Sequence, residues 1–407
     1  MASGGIDHMM SLIIFIAAFL IFIGLFSQTM QTGIAYERHN ALSTKTSDLL
    51  DNILLNPGIP SNWGQTDNTI VGFGLQNPDY SQYQLSSLSA MRLTSTQSPV
   101  YYNGTYYSNV TAGFGGYLLA PSAKSLNYST ASKLLGINST YGFQLALTPT
   151  ITVLIEKLSV APLTLSVKVD RTGYPFANAP LSYSLLLVNQ DGSNYPSYTT
   201  LSGLSATDMS GSAQLVFPQI SSADQSYAII VCSYLDGLKG IGYYVHDYQS
   251  LTKTLVPLID SFQDGTIVLA HGDSVGQAPQ PPVPSQLSYN ATFVILTDDY
   301  TLRQVQLDQP AAAGEVAYGS SIGQEYASIS VPTNEGILIV AYKDSAGQYG
   351  VVLMPWGLGS LSFPLTFGGN PAGQEWVTTD ILQVTIGGIS YQAKLELWNL
   401  QGYSESS

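Results

Sequence analysis

An uninterrupted apolar run near the N-terminus constrains this chain more than any other feature of its sequence. Met9 to Phe26 reads MMSLIIFIAAFLIFIGLF, 18 residues that include one serine and no charged side chain. As an α-helix this run is about 27 Å long, close to the ~30 Å hydrocarbon thickness of a bilayer. No comparable run follows. We therefore expect one membrane-spanning helix, with everything after Ser27 on one side of the membrane.

Two other structures pass the same hydropathy test. A buried core helix is rarely apolar on every face. A cleaved secretory signal usually has a basic segment before its apolar run and a small-x-small cleavage site after it. Here no Lys or Arg precedes the run, and SQTMQTG follows it. The sequence therefore favours a retained anchor over a cleaved signal.

The helical pattern continues beyond the apolar run. Leu42, Thr46, Leu49 and Ile53 recur at the spacing of one helix face, and no proline occurs before Pro57. This pattern predicts one continuous helix from Met9 to about Leu55. Its second half is amphipathic, so the following domain must cover its apolar stripe.

Three segments together resemble the archaeal type IV pilin-like surface proteins over about residues 1–155. They are Gly4-Gly5 before the helix, LLDNILLNPGIPSNWG after it, and YSTASKLLGINSTYGFQLAL further on. The resemblance implies an α+β head resting on the long helix. It also implies cleavage by a prepilin peptidase, with Gly4 and Gly5 as the candidate processing site. The family usually has a basic residue at this point, whereas Ser3 precedes the two glycines here.

The resemblance also suggests roles for residues on the helix itself. Asp7 is either the acidic residue found near the start of many mature pilins or an interfacial carboxylate in water. In a filament the helices bundle, and the small residues Ala17, Ala18 and Gly24 permit close helix approach. The missing basic residue and the bulk of the exterior favour a lone or small-complex anchor over a filament subunit.

The remaining sequence predicts strands. RTGYPFANAPLSYSLLLV, TDMSGSAQLVFP and YAIIVCSYLDGLKGIGYYV resemble the immunoglobulin-like modules of bacterial and archaeal surface proteins, over about residues 158–250. The Pro-rich stretch GQAPQPPVPSQ predicts an extended linker, and a second strand series follows it.

We therefore predict a mainly β protein with one long N-terminal α-helix, a pilin-like α+β head and immunoglobulin-like β-sandwich domains. The expected segments are a short N-terminal piece (1–8), the transmembrane helix (9–26), its amphipathic extension (27–56), the head (57–157), the sandwich (158–258), a Pro-rich linker region (259–286) and a C-terminal sandwich-like domain (287–407).

Composition and sequons favour an extracellular location for everything after the helix. Only 10% of residues are charged, compared with roughly 25% in an ordinary soluble domain. The net charge of −14 without a basic run excludes a nucleic-acid surface. The N-x-Ser/Thr sequons are glycosylation candidates at Asn103, Asn109, Asn127, Asn138 and Asn290.

The sequence offers little catalytic chemistry. None of the four histidines has metal-ligand spacing, so we expect no metal, no cofactor and no enzymatic activity. Cys232 lies in an apolar strand run and is predicted to be a buried, inert thiol. For the four tryptophans we favour core positions over sugar-binding platforms.

The sequence thus favours a structural or adhesive surface protein anchored in the cell membrane by a single pass. The alternative is a membrane-tethered module that binds a solute or a glycan. The expected partners are the membrane, copies of the chain or other pilin-like subunits, and surface glycans.

Overall fold

The structure is a computed structural model. It describes residues 3–66, 68–80, 82–93, 100–102, 105–109, 119–121, 126–137, 139–189, 197–248, 255–263, 266–273, 287–297, 299–305, 314–316, 327–330, 334–344, 349–357, 364–374 and 376–400. The helices are α1 (Ser3–Leu55), a 3₁₀ turn (Trp63–Gln65), α2 (Ser87–Met91) and α3 (Tyr128–Leu134). One long helix and many strands confirm the predicted fold class.

The described residues contain 24 β-strands. The first twelve are β1 (Gln84–Leu85), β2 (Val100–Tyr102), β3 (Thr105–Asn109), β4 (Leu119–Pro121), β5 (Tyr141–Pro149), β6 (Ile151–Val160), β7 (Leu163–Arg171), β8 (Tyr174–Pro175), β9 (Pro180–Asn189), β10 (Ser197–Ala206), β11 (Ser212–Phe217) and β12 (Ser226–Leu235). The others are β13 (Leu238–His246), β14 (Leu255–Gln263), β15 (Thr266–Asp273), β16 (Leu287–Leu296), β17 (Leu302–Val305), β18 (Gly314–Val316), β19 (Ala327–Ser330), β20 (Gly336–Asp344), β21 (Tyr349–Trp356), β22 (Leu365–Gly368), β23 (Val377–Ile386) and β24 (Ile389–Asn399).

The long helix is continuous, as its sequence predicts. α1 runs 53 residues from Ser3 to Leu55 without a break. It ends where Asn56 turns the chain, because the Asn56 side-chain oxygen accepts a hydrogen bond of 2.9 Å from the Gly58 N–H. Pro57 cannot donate the backbone hydrogen bond that another helical turn needs.

The last part of α1 is seated in the head, and its apolar stripe is covered. Leu42, Leu49, Leu50, Ile53 and Leu54 are all buried in one core with the strands of the head sheet. Thr46 lies within this stripe. Its hydroxyl donates to the Leu42 carbonyl at 2.8 Å and is hydrogen-bonded to the hydroxyl of Thr378 on β23.

The head sheet is built from both ends of the chain, which the sequence analysis did not anticipate. Its order is β1-β23-β24-β5-β22, and β24 pairs with β5 along the whole length of β5. The head therefore contains strands from two distant parts of the chain, and it is not limited to residues 57–157 as the sequence analysis expected. The expected C-terminal domain, 287–407, is divided between the head and an inserted unit. Residues 365–399 complete the head and do not close a separate C-terminal sandwich, since their inward side chains share the core of α1.

β5 and β22 are antiparallel neighbours, and residues 150–364 form an insertion between them. The first inserted unit is the expected β-sandwich, with sheets β10-β9-β12-β13 and β11-β7-β6. Its inner core contains apolar residues from both sheets, among them Leu165, Val167, Leu185 and Ile229. We call residues 151–246 the sandwich module.

The sandwich module also packs against the rest of the protein through its outer face. Ala228, Ile230 and Cys232 on β12 alternate with inward-facing residues and join the core that includes Ile337 and Ile339 of β20. β20 belongs to the second inserted sheet, β17-β16-β20-β21, with β18 also paired to β16. β12 is therefore buried on both faces, which explains why it reads as a continuous apolar run.

A six-stranded sheet, β19-β15-β14-β4-β3-β2, joins residues of the head segment to residues 255–273 and 327–330. This arrangement corrects the expected linker region 259–286. Residues 259–263 and 266–273 lie in β14 and β15, which form an antiparallel pair. The segment GQAPQPPVPSQ lies outside the described residues.

Candidate functional site

The exposed half of α1 is the most distinctive surface of the described structure. From His8 to Ala41 every side chain is exposed except Ala35, which is half-buried. Burial begins at Leu42 and marks the end of this surface. α1 thus has an exposed part, residues 8–41, about 50 Å long, which we call the bare half, and a part packed in the head, residues 42–55, about 20 Å long.

The apolar section of the bare half has the composition of a membrane span. α1 is the single helix in the described chain that has the length and the apolar composition of a membrane span. Phe15 stacks on Phe19 and Phe22 on Phe26, each pair with ring centroids 6.3 Å apart. Every interior backbone group of a helix is satisfied within the segment, as hydrocarbon requires. The helix is a candidate membrane anchor.

A polar stretch separates the apolar section from the head. We call Ser27–Ala41 the stalk, about 22 Å long as a helix. Its threonine hydroxyls are satisfied within the helix, because Thr29 donates to the Leu25 carbonyl at 2.8 Å and Thr32 to the Gln28 carbonyl at 2.9 Å. Where the stalk meets the head, His39 lies beside Trp376 with ring centroids 6.5 Å apart.

The helix residues singled out from the sequence all lie on α1. Ala17, Ala18 and Gly24 are exposed, and no atom lies within 4 Å of the position a Cβ would take on Gly24. Ala17 and Gly24 are seven residues apart and share one helix face. Gly4, Gly5 and Asp7 also fall within the helix.

The structure gives a side-chain environment for one of the five sequons. Asn127 is exposed and caps α3, since its side-chain oxygen accepts a hydrogen bond of 2.8 Å from the Thr130 N–H. Asn109 lies in β3 and Asn290 in β16. Asn103 and Asn138 fall outside the described residues.

The cysteine and three of the four tryptophans are buried. Cys232 is buried, as predicted, and burial raises the pKa of its thiol to about 11. Trp63, Trp356 and Trp398 are core residues, whereas Trp376 is 38% exposed beside the stalk. Within the described part of the chain, no three His, Cys, Asp or Glu side chains come together as a metal site would require.

A polar seam joins the two residues that follow the sandwich module to β21, and no sequence pattern indicated it. The half-buried Asp247 accepts a hydrogen bond of 2.9 Å from the Leu353 N–H, and the next carbonyl, that of Tyr248, accepts one of 2.9 Å from the Val351 N–H. Burial raises the pKa of Asp247 to about 8. The neighbouring His246 has its pKa lowered, also chiefly by burial.

A second polar contact lies where three parts of the protein meet. The buried Tyr300 donates a hydrogen bond of 3.1 Å to the Gly387 carbonyl, in the turn between β23 and β24. The ammonium of Lys239, at the start of β13, lies 5.0 Å from the centre of the Tyr300 ring. Tyr300 thus links the head, the sandwich module and the second inserted unit.

Comparison with known proteins gives distant matches only. No protein-family model matches the sequence, and no curated protein does. A Salmonella alpha-2-macroglobulin reacted with methylamine matches with a TM-score of 0.24 and 10% identity, over 57% of this chain and 17% of that one.

Two further solved structures are similar at the same level. The Yersinia pseudotuberculosis adhesin InvE has a TM-score of 0.17 and 11% identity, over 51% of this chain and 58% of the adhesin. Red sea bream transglutaminase has a TM-score of 0.18 and 11% identity, over 72% of this chain and 40% of the enzyme. The chain spans less than two thirds of each of these proteins, and at such TM-scores the likeness carries no argument about function.

Proposed function

We propose that this chain is a membrane-anchored, pilin-like surface protein that displays a β-structured exterior outside the cell. The observation that carries the proposal is the change of environment along α1. The helix is wholly bare over its 18-residue apolar run and is covered from Leu42 onward. A fully apolar, uncovered helix is unstable in water and stable in a bilayer.

The exterior has the properties of a scaffold or adhesive unit. Its chain is poor in charge, and its two inserted β units lie between β5 and β22, which are neighbours in the head sheet. We propose the membrane, copies of the chain or other pilin-like subunits, and surface glycans as its partners, with no catalytic activity. Asn127 supports glycosylation, because the residue is exposed and its helix-cap hydrogen bond uses the side-chain oxygen and not the amide nitrogen that a glycan would join.

The anchor is tested by placing charge in its apolar section. The variant Phe15→Lys/Phe19→Lys puts two ammonium groups near the bilayer centre, each at about 2.5–3.5 kcal/mol. We expect this variant to be released from membranes by alkaline carbonate, whereas the unmodified protein stays. The matched control is Met30→Lys/Ile34→Lys, with the same spacing and similar exposure in the stalk. Equal retention of both variants would contradict the proposal.

Orientation and assembly need separate measurements. Protease added to intact cells is expected to remove the exterior and leave the apolar section protected. The mature N-terminus then distinguishes two forms of the proposal. Cleavage beside Gly4 and Gly5, together with recovery in sheared filaments, supports a filament subunit. An intact N-terminus with recovery in membranes alone supports a solitary anchor.

A further inference from the structure

Among the described residues the sandwich module has four edge strands, β10 and β13 in one sheet and β6 and β11 in the other. The two longest of them, β6 and β10, differ in character. β6 carries Glu156 and Lys157 and is interrupted by a bulge between Lys157 and Ser159. Charges and bulges of this kind keep edges from pairing with other chains. β10, at one edge of the other sheet, has the sequence SYTTLSGLSA with no charge and no proline.

β10 is also regular and open. It pairs with β9 in one unbroken register from Ser197 to Ala206, and among the described residues no strand pairs with its other side. Most of its residues are exposed, and Leu204 is 84% exposed. Every second N–H and C=O of such a strand points outward and lacks a strand partner. β10 therefore has the features of a strand-addition site.

We propose that β10 pairs antiparallel with β10 of a second copy, which joins two four-stranded sheets into one. A two-fold axis at Leu201 keeps the faces of both sheets matched, and it sets Tyr198 opposite Leu204 and Thr200 opposite Ser202. Each exposed Leu204 then gains an aromatic cross-strand neighbour. A chain of net charge −14 meets its copy here without repulsion within the strands, since β10 has no charged residue.

Strand directions determine how the two copies face each other. β23 runs alongside α1 in the direction that leads away from the apolar half of the helix. Near the start of β23, the hydroxyl of Thr378 is hydrogen-bonded to that of Thr46. Near its end, the Thr385 N–H donates to the carbonyl of Tyr83, and the hydroxyl of Tyr83 donates to Asp51, further along α1. β5 runs in the same direction as β23, because β5 and β23 are both antiparallel to β24. β6 begins at Ile151, directly after the far end of β5. The head is thus at the Ile151 end of β6.

β10 runs back toward this end. The turn after β10 reaches Ser212, which pairs with Lys168 of β7, and β7 ends at Arg171 opposite Ile151. Antiparallel pairing of two β10 strands therefore places the two heads, and the two anchors, at opposite ends of the joined sheet. Given the anchor proposed above, on which this step rests, the two copies lie in facing membranes, and the contact is a homophilic adhesion.

The test uses the full chain reconstituted in liposomes. We expect proteoliposomes to cluster, and Leu204→Lys to abolish the clustering by lowering the association constant at least about tenfold. The matched control is Leu158→Lys, at a 53% exposed leucine on the protected edge β6, which is expected to cluster normally. Near-ultraviolet circular dichroism checks that both variants are folded.

Cysteine pairs test the register. Liposomes bearing Thr200→Cys mixed with liposomes bearing Ser202→Cys are expected to give a disulfide-linked dimer, and Thr200→Cys alone much less of it. Cys232 is buried and does not interfere. Protein that floats with the liposomes but neither clusters them nor cross-links overturns this inference while leaving the anchor intact. Clustering that survives Leu204→Lys also overturns it. Failure to float would instead count against the anchor.

Discussion

Two contacts between parts of the molecule differ in chemistry. One, which we call the seat, is the packing of residues 42–55 of α1 in the head. The other is the seam between the residues after the sandwich module and β21. The seat is an apolar stripe of leucine and isoleucine with one buried threonine pair. The seam adds to its apolar contacts a half-buried carboxyl, Asp247, that receives a backbone hydrogen bond. The stability of an apolar contact does not depend on pH, whereas the half-buried carboxyl makes the stability of the seam depend on it.

The largest effect is expected at the seat. Leu50 is fully buried among residues of the head core. Leu50→Ala removes buried methyl groups and leaves a cavity, so we expect the head to lose about 2–5 kcal/mol of unfolding free energy. Denaturant titration of the detergent-solubilised protein, followed by tryptophan fluorescence, measures it.

The same substitution in the bare half is the control. Leu20 is exposed, so Leu20→Ala leaves the unfolding midpoint of the head unchanged. Equal effects of Leu50→Ala and Leu20→Ala would mean that the two halves of α1 do not differ as described. The loss for Leu50→Ala is also expected to be the same at pH 5 and pH 9.

At the seam the expected effect depends on pH. The pKa of Asp247 is raised to about 8 in the folded protein, above the 3.8 of an unperturbed Asp. Folding therefore takes up a proton between these values, and the unfolding free energy falls as pH rises from about 4 to 8. Asp247→Asn keeps the acceptor for the Leu353 N–H and removes the titration. We expect it to stabilise the protein at pH 9 by on the order of 2 kcal/mol.

The control for Asp247→Asn is Asp79→Asn, which removes one charge from an exposed site in the head. Thermal unfolding of the three proteins between pH 4 and 9 provides the comparison. An Asn variant that keeps the pH slope of the unmodified protein would show that Asp247 is not the titrating group of the seam.

Local patterns predicted the elements of this fold well. The spacing of Leu42, Leu49 and Ile53 predicted the buried end of the helix. The segments LSYSLLLV, SAQLVFP and YAIIVCSYL predicted β9, β11 and β12 close to their bounds. The pairing of β5 with β24 was beyond such patterns. Periodicity reports which face of a segment is buried and carries no information on which distant segment covers it.

The candidate site divides in the same way. The candidate anchor was predictable because a run of 18 uncharged, mostly apolar residues is itself the property that a bilayer selects. Asp247 was not, since nothing in the sequence YVHDYQ shows that the Leu353 backbone covers this carboxyl. The open edge of β10 was not predictable either, because the order of the strands in a sheet decides which strand lies at its edge, and the sequence of one strand does not show that order.

A smaller effect is expected at the junction formed by Tyr300. Tyr300→Phe removes the hydrogen bond to the Gly387 carbonyl and keeps the ring beside Lys239. We expect a loss of about 1 kcal/mol, with faster amide exchange in the turn at Gly387 and Gly388. Tyr174→Phe, at an exposed tyrosine, is the control. Unchanged exchange in that turn would exclude Tyr300 as the link between head and modules.

The smallest expected effect is the coupling within the threonine pair that joins the two ends of the chain. Thr46 and Thr378 are buried with their hydroxyls hydrogen-bonded, and Thr46 also donates to Leu42. Each single Thr→Val variant leaves the other hydroxyl without this partner, so we expect a loss of about 1 kcal/mol for each. The double variant removes both groups and is expected to lose less than the sum, with a coupling of at least about 0.5 kcal/mol. Additive losses in denaturant titration would place β23 away from α1 and undo the shared head.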